Sequence, residues 1–421
     1  MSSSEQPALL VLGILPSEKT YDDWRAAAAS RRSQRRTMLA PPQPEGFAYR
    51  FVLSSRLSMP PSLGRRRHRR LARGTASASA ESPLQRQQAI EREQRVHGND
   101  LALLDMPHGS LCSCSELVHA WFTFALERWP AARFFAKTED DIFIALPRLF
   151  FDLLRLPAHL PLWYGLFVWT GSTYDTAATK PVGCWGGAFE DNPAMTGKGM
   201  RATLGKERGC PDGARPLAPA PTHELDLRSR PLAQALARCS YPGAWLRFAS
   251  SGGPARLRRC PNDCAAVQGA WLTRCAASHA NVTLAHATWT KIHSHSVDNG
   301  WRPFAPPSNL TVVLDMNLGD KKVRQDVRGA WDHAQAVLGG AKHAPAFPPL
   351  LYDFDPRRPS GALPTVTPLN PKVAEMHAEV CRWGGCHPSR GEASPIWPGW
   401  AKSKPWPKVG DHRGDARLGG V

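Results

Sequence analysis

Apolar runs alternate with amphipathic and charged segments through the first 160 residues of the chain. Four runs have the length and the content of leucine, valine and phenylalanine that are typical of buried strands. They lie at residues 8–15, 47–54, 101–104 and 133–136. Four segments with helical patterning follow them, at residues 20–38, 84–96, 116–128 and 146–156. Because strands and helices alternate, we predict an α/β fold with a mostly parallel central sheet.

The pattern changes after residue 160, where tryptophan, glycine and proline become more frequent. Residues 163–169 predict one more strand with aromatic faces, and the many turn formers in residues 171–225 predict loops. We expect a single domain over residues 1–340. Residues 341–421 predict an irregular, Pro- and Trp-rich C-terminal tail that forms no separate core.

The fourth predicted strand leads into three consecutive acids, Glu139, Asp140 and Asp141, and a second apolar run follows at residues 142–144. Adjacent carboxylates repel one another unless a positive group lies among them, and a divalent cation shared with phosphate is a common solution. A solvated acidic turn is the alternative. The apolar segments on both sides place the turn between buried strands, which favours the metal. The acids also follow a strand of a parallel sheet, at the edge where such sheets bind ligands.

The net charge of +17 is concentrated in short clusters, among them residues 31–36 and residues 65–70. A basic chain is consistent with nucleic-acid binding, but neither cluster lies in a zinc-finger, RNP or basic-zipper pattern. The cluster at 65–70 adjoins a low-complexity Ala/Ser stretch, so we predict a disordered basic insertion over residues 57–83. A basic surface also suits an anionic sugar nucleotide or an anionic membrane face.

The ten cysteines are scattered and do not form paired Cys-x-x-Cys spacings, which favours disulfides in an oxidising compartment over zinc. Two glycosylation sequons, at residues 281–283 and 309–311, agree with that compartment. The longest apolar run near the start, residues 8–15, is too short to span a bilayer and lacks the flanks of a signal peptide. For a secretory protein we would expect the targeting segment to lie outside this sequence.

A glycine-rich segment at residues 250–253 follows Tyr241-Pro242. Paired glycines allow the backbone to approach a ligand closely, and an ordinary turn is the alternative. Ser251, Gly252 and Gly253 are therefore candidates for ligand contact.

Four motifs in this order resemble the β-1,3-galactosyltransferase family (glycosyltransferase family 31, related to Fringe), whose members are inverting enzymes with the GT-A fold. Residues 31–38 look like the family's Arg-x-x-Ile-Arg-x-Thr-Trp, with Gln34 and Met38 in place of Ile and Trp. Residues 99–105 are similar to its Gly-Asp-Ile-Leu-Leu-Leu-Asp strand, and residues 137–143 to its metal-binding Lys-Thr-Asp-Asp-Asp-Val-Phe. Tyr241-Pro242 with Ser251-Gly252-Gly253 is similar to the loop beside the donor sugar. The resemblance implies a Rossmann-like nucleotide-sugar-binding fold.

The resemblance also implies a site for Mn²⁺ or another divalent cation, with Glu139 and Asp141 as ligands. Asp140 would orient the donor, and the loop of Ser251, Gly252 and Gly253 would lie beside the sugar. The family's late metal-ligating histidine corresponds to His293 or His295, or its place is taken by Asp315. Arg31 and Arg35 either contact the nucleotide or its phosphates, or only solvate the first helix.

The family's catalytic Glu-Asp-Val motif has its nearest counterpart in Asn262-Asp263-Cys264, so Asp263 is the candidate general base. The implied activity moves galactose or N-acetylglucosamine from a UDP-sugar to a glycan or glycoprotein and forms a β-1,3 linkage. The implied location is the Golgi lumen, with the family's membrane anchor not seen in this sequence. Because the Glu of that motif is absent here, a catalytically inactive UDP-sugar- or glycan-binding relative is the alternative. A nucleic-acid-binding protein is favoured by net charge alone, and the resemblance implies no nucleic-acid partner.

Overall fold

The computed structural model describes a little under half of the chain, with most of its first 175 residues. The described residues are 8–17, 24–54, 83–98, 100–104, 113–175, 180–188, 218–222, 224–238, 281–287, 291–293, 312–315, 328, 331–332, 335, 349–355 and 366–369.

A nine-stranded sheet forms the centre of the structure, in the order β15-β14-β11-β6-β10-β4-β1-β2-β3. Its strands are β1 (Leu10–Leu15), β2 (Phe47–Ser54), β3 (Leu101–Leu104), β4 (Phe134–Glu139), β6 (Leu162–Gly165), β10 (Asp226–Ser229), β11 (Val282–His286), β14 (Leu350–Phe354) and β15 (Val366–Pro368). Only β10 and β14 run against the common direction among these nine strands. The prediction of an α/β fold with a mostly parallel central sheet is therefore confirmed.

Five helices flank the sheet in the described part of the chain. They are α1 (Trp24–Arg36), α2 (Pro83–His97), α3 (Ser113–Arg128), α4 (Leu146–Leu153) and α5 (Arg230–Ala237). The helices predicted at 84–96, 116–128 and 146–156 agree with α2, α3 and α4 to within three residues at either end. No helix within the described ranges is long and apolar enough to cross a membrane.

Strand β1 is apolar throughout because both of its faces are buried. Leu10, Leu12 and Ile14 contribute to one hydrophobic core, whereas Val11 and Leu15 contribute to the core beneath α3. Gly13 lies on that second face against Trp121, and a Cβ atom there would be 2.2 Å from Cε2 of the indole. The absence of a side chain at Gly13 therefore lets α3 pack directly on the central strands.

The strand predicted at 163–169 is divided between two sheets. Residues 162–165 belong to the central sheet, and β7 (Phe167–Asp175) begins a separate antiparallel sheet with β8 (Lys180–Ala188) and β9 (Ala218–Pro221). The expectation of loops throughout residues 171–225 is thus wrong. Three prolines of that segment, Pro181, Pro219 and Pro221, lie on β8 and β9, which are the edge strands, where a missing N–H is tolerated.

A third, small sheet joins three distant segments in the order β12-β13-β5. Its strands are β5 (Ile142–Ile144), β12 (Ile292–His293) and β13 (Val313–Asp315). Strand β13 runs antiparallel to β5 and parallel to β12.

The central sheet extends beyond the boundary expected at residue 340, because β14 pairs with β11 and β15 pairs with β14. The first part of the predicted tail therefore belongs to the sheet. Asn281 of the first sequon links the same two strands, since its Nδ2 donates to Oδ2 of Asp353 at 2.7 Å. The second sequon, the basic insertion at 57–82 and all ten cysteine side chains lie outside the described residues.

Candidate functional site

The three acids begin inside strand β4 rather than after it. The strand was predicted to end at residue 136, but it continues to Glu139, which pairs with Leu15 of β1. Asp140 and Asp141 form a two-residue turn, called the acidic turn below, and β5 starts at Ile142. The acidic turn therefore lies at the carboxyl end of a central strand of a mostly parallel sheet, the expected binding edge.

Hydrogen bonds from two neighbouring segments hold Asp140 in place. Its N–H donates to the carbonyl of Leu15 at 2.8 Å, and its Oδ1 accepts the N–H of Ser17 at 2.9 Å. Its own carbonyl oxygen accepts the hydroxyl of Ser30 and the amide of Gln34, the latter at 3.2 Å. The donor-orienting role predicted for Asp140 would have to share this carboxylate with Ser17.

Glu139 lies two residues after Lys137 on the same face of β4. The Nζ of Lys137 is 3.6 Å from Oε1 of Glu139, and the lysine is buried. An ammonium so close offsets part of the repulsion among the acids.

The third sheet brings a further acid to the acidic turn. Asp315, at the carboxyl end of β13, lies opposite Ile142, the residue that follows Asp141. Both Asp141 and Asp315 are 2% exposed. Asp141, in the turn before β5, and Asp315, on the strand beside β5, are thus buried carboxylates near one another in the strand pairing, and carboxylate oxygens are ligands that hard divalent cations prefer.

His293 belongs to the same sheet but lies one strand farther away. Its backbone pairs with Leu314, whose other neighbour is Phe143. Since strands are about 4.8 Å apart, His293 is two strand spacings from β5 and Asp315 is one. Two of the three candidates for the third ligand, Asp315 and His293, thus lie on the third sheet, with Asp315 nearer to β5.

Among the described residues, no three His, Cys, Asp or Glu side chains are grouped tightly enough to hold a metal ion by themselves. One or two carboxylates are nevertheless a sufficient protein contribution where substrate phosphates and water complete the coordination of the cation. Asp141 and Asp315 are of the residue type that such an arrangement requires.

Arg31 and Arg35 bind protein carboxylates in a group called the arginine cluster below, which also contains Glu93 and Asp100. Arg31 donates to both oxygens of Glu93, at 2.9 and 2.7 Å. Arg35 donates to both oxygens of Asp100, at 2.6 and 3.0 Å, and to Glu93 at 2.7 Å. Arg31 is only 4% exposed, so the alternative that it merely solvates the helix is wrong. The predicted contacts with nucleotide or phosphate stay predictions.

A second ion pair connects the third sheet with α4. Lys291, directly before β12, donates to both oxygens of Asp152 at 2.7 Å, and the hydroxyl of Tyr164 donates to Oδ2 at 3.0 Å. We call Asp152 and Lys291 the lysine pair. The carbonyl of Lys291 also accepts the N–H groups of Val312 and Val313, at 2.7 and 2.9 Å. The pair therefore ties the strands that carry His293 and Asp315 to α4.

Sequence reasoning missed Ser30, Gln34 and the lysine pair. Ser30 and Gln34 are four residues apart on α1, the spacing that places two side chains on one helix face. Because α1 also contains five arginines and a further serine, polar character alone did not distinguish these two residues, and the sequence did not show what this face contacts.

Several predicted site residues lie outside the described residues: the candidate base Asp263, the glycine-loop residues Ser251, Gly252 and Gly253, Tyr241-Pro242, and His295. Of His293 only the backbone is described. Their predicted roles stay predictions.

No family model matches the chain, and no curated protein matches it either.

Proposed function

We propose that this chain is a metal-dependent inverting glycosyltransferase of the GT-A type, which transfers galactose or N-acetylglucosamine from a UDP-sugar to a glycan or glycoprotein acceptor with a β-1,3 linkage. The observation that carries the proposal is the acidic turn at the carboxyl end of β4, with the buried Asp315 on the strand beside β5. The ordered motifs that resemble the family add the donor and the linkage. The proposed location is the Golgi lumen.

In this proposal Asp141 and Glu139 would hold the divalent cation, with Asp315 or His293 as a third ligand. Bound there, Mn²⁺ supplies positive charge that neutralises the diphosphate and stabilises UDP as the leaving group. Asp140 holds the turn in place and orients the donor.

Asp263 is the proposed general base. It takes the proton of the acceptor hydroxyl while that oxygen bonds to the anomeric carbon in line with the departing UDP. The bond between the anomeric carbon and the phosphate oxygen breaks, and the configuration inverts.

The test combines a screen of UDP-sugar hydrolysis with one substitution. We expect hydrolysis of UDP-galactose or UDP-N-acetylglucosamine that depends on added Mn²⁺. Asp141→Ala should abolish both hydrolysis and Mn²⁺-dependent UDP binding, because the cation loses its central ligand. Asp332→Ala is the matched control, since this acid is half exposed and pairs only with Arg36 and Arg328 among the described residues.

Three outcomes separate the alternatives. Mn²⁺-dependent UDP binding without hydrolysis or transfer would support the inactive relative. Equal Mn²⁺-dependent UDP binding by Asp141→Ala and by the wild-type chain would contradict the assignment of the site. Absence of UDP binding by the wild-type chain would contradict the proposed function as a whole.

A further inference from the structure

We infer that Ser30 and Gln34 of α1 are positioning residues for the acidic turn, an inference that rests on the proposed function for its catalytic meaning. Ser17 binds the same turn. The three residues hold Asp140 through its carboxylate and its carbonyl oxygen.

The carbonyl that Ser30 and Gln34 hold lies directly before the proposed metal ligand Asp141. The carbonyl of Asp140 belongs to the peptide group that joins Asp140 to Asp141. Because a peptide group is planar, fixing its oxygen also fixes the nitrogen of Asp141 and the direction in which that residue leaves the turn. Two donors on one carbonyl oxygen therefore act on the side chain that we propose as the main metal ligand.

These contacts are also shielded from water. Ser30 and Gln34 are fully buried, and Asp140 and Asp141 are nearly so. Water is therefore a poor substitute for either donor, and a carbonyl that loses them is left without compensation.

Two further contacts of Asp140 come from a different element. Its N–H and Oδ1 are bound by Leu15 and Ser17 at the end of β1. Residues at the end of β1 thus bind the N–H and the carboxylate of Asp140. Helix α1 binds the peptide group that joins Asp140 to Asp141. Of these four contacts, the two from α1 act on the peptide group that sets the direction of Asp141.

The experiment compares wild type with the double variant Ser30→Ala/Gln34→Met, which removes both donors and nearly conserves volume. We expect Mn²⁺-dependent UDP affinity, measured by titration calorimetry well below the unfolding midpoint, to fall at least tenfold. We also expect faster hydrogen exchange in the peptide that covers the acidic turn. Ser30→Thr keeps a hydroxyl and should retain affinity close to that of wild type.

Gln43→Met is the matched control. The amide of Gln43 donates to the carbonyl of Leu39 at 2.6 Å, so this change removes the same kind of hydrogen bond just beyond α1 without a described contact to the acidic turn. It should leave both UDP affinity and exchange at the turn unchanged.

The failures are distinguishable. A wild-type chain that does not bind UDP with Mn²⁺ contradicts the proposed function, while the exchange measurement still decides whether α1 positions the turn. Unchanged exchange at the turn in the double variant overturns the positioning role, whatever the chain binds. Faster exchange at the turn with unchanged UDP affinity would show that the position of the turn does not affect Mn²⁺-dependent UDP binding.

Discussion

The arginine cluster and the lysine pair are two buried ion-pair systems with opposite electrostatic behaviour. In the arginine cluster, burial alone would raise the pKa of Glu93, but hydrogen bonds and charges from Arg31 and Arg35 lower it to about 2. In the lysine pair, burial raises the pKa of Asp152 and lowers that of Lys291, and their mutual attraction offsets only part of this.

The difference follows from the number of charged partners of each carboxylate and from how deeply it is buried. Glu93 has two guanidinium partners, and its side chain is 13% exposed. Asp152 has one cation and one hydroxyl, and its side chain is fully buried. Two cations overcome the loss of hydration, whereas one does not. We therefore expect the arginine cluster to stabilise the fold. We expect the lysine pair mainly to specify one packing arrangement of α4 and β12, the one in which its two charges meet.

The largest effect is expected for Lys291→Met. This change leaves the carboxylate of Asp152 buried without its cation, which typically costs about 3–5 kcal/mol of the free energy of unfolding. Chemical denaturation measures the loss. The double variant Asp152→Leu/Lys291→Met should recover most of it, because no unpaired charge remains. A double variant as unstable as the single one would contradict this interpretation of the lysine pair.

A smaller effect is expected for Glu93→Gln, on the order of 2–3 kcal/mol at neutral pH, from the lowered pKa of Glu93. Because the folded-state pKa lies below the ordinary value of 4.5, the contribution is present above pH 4.5 and is lost as the pH falls towards about 2. Acid titration of stability should show a decline in wild type over that interval that is reduced in Glu93→Gln. Identical acid profiles would show that the arginine cluster does not stabilise the fold as described.

The smallest effect is expected for Arg36→Ala. The Nη2 of Arg36 is 2.8 Å from Oδ1 of Asp332, but the two side chains are 42% and 50% exposed. Solvent screens such a pair, so we expect a change below about 0.5 kcal/mol, removed by high salt. A loss as large as that of Glu93→Gln would show that distance matters more than burial in this chain.

The sequence predicted the first half of the fold well, because local patterning is strong there. Strands β2 and β3 have the predicted bounds, since both are short apolar runs between clear helical segments. The second half was predicted poorly, because β8 and β9 contain proline and depend on pairing with β7. Proline content describes the chain locally, whereas tolerance of proline depends on whether a strand lies at the edge of a sheet.

The candidate site divides in the same way. The position of Glu139, Asp140 and Asp141 after an apolar strand predicted the sheet edge at which the structure places them. The role of Arg31 could not be predicted, because Glu93 lies 62 residues away and the sequence contains no local sign of that pairing.

The sequence alone determined which segments of the first 160 residues become strands and helices and where three carboxylates follow one another, since these depend on short-range pattern and composition. Only the tertiary structure decided what meets the acidic turn. Gln34 reaches a carbonyl 106 residues away, and Asp315 comes to lie beside β5 through strand pairing. Contacts at such separations depend on how the whole chain packs, and the residues that make them have no shared pattern along the sequence.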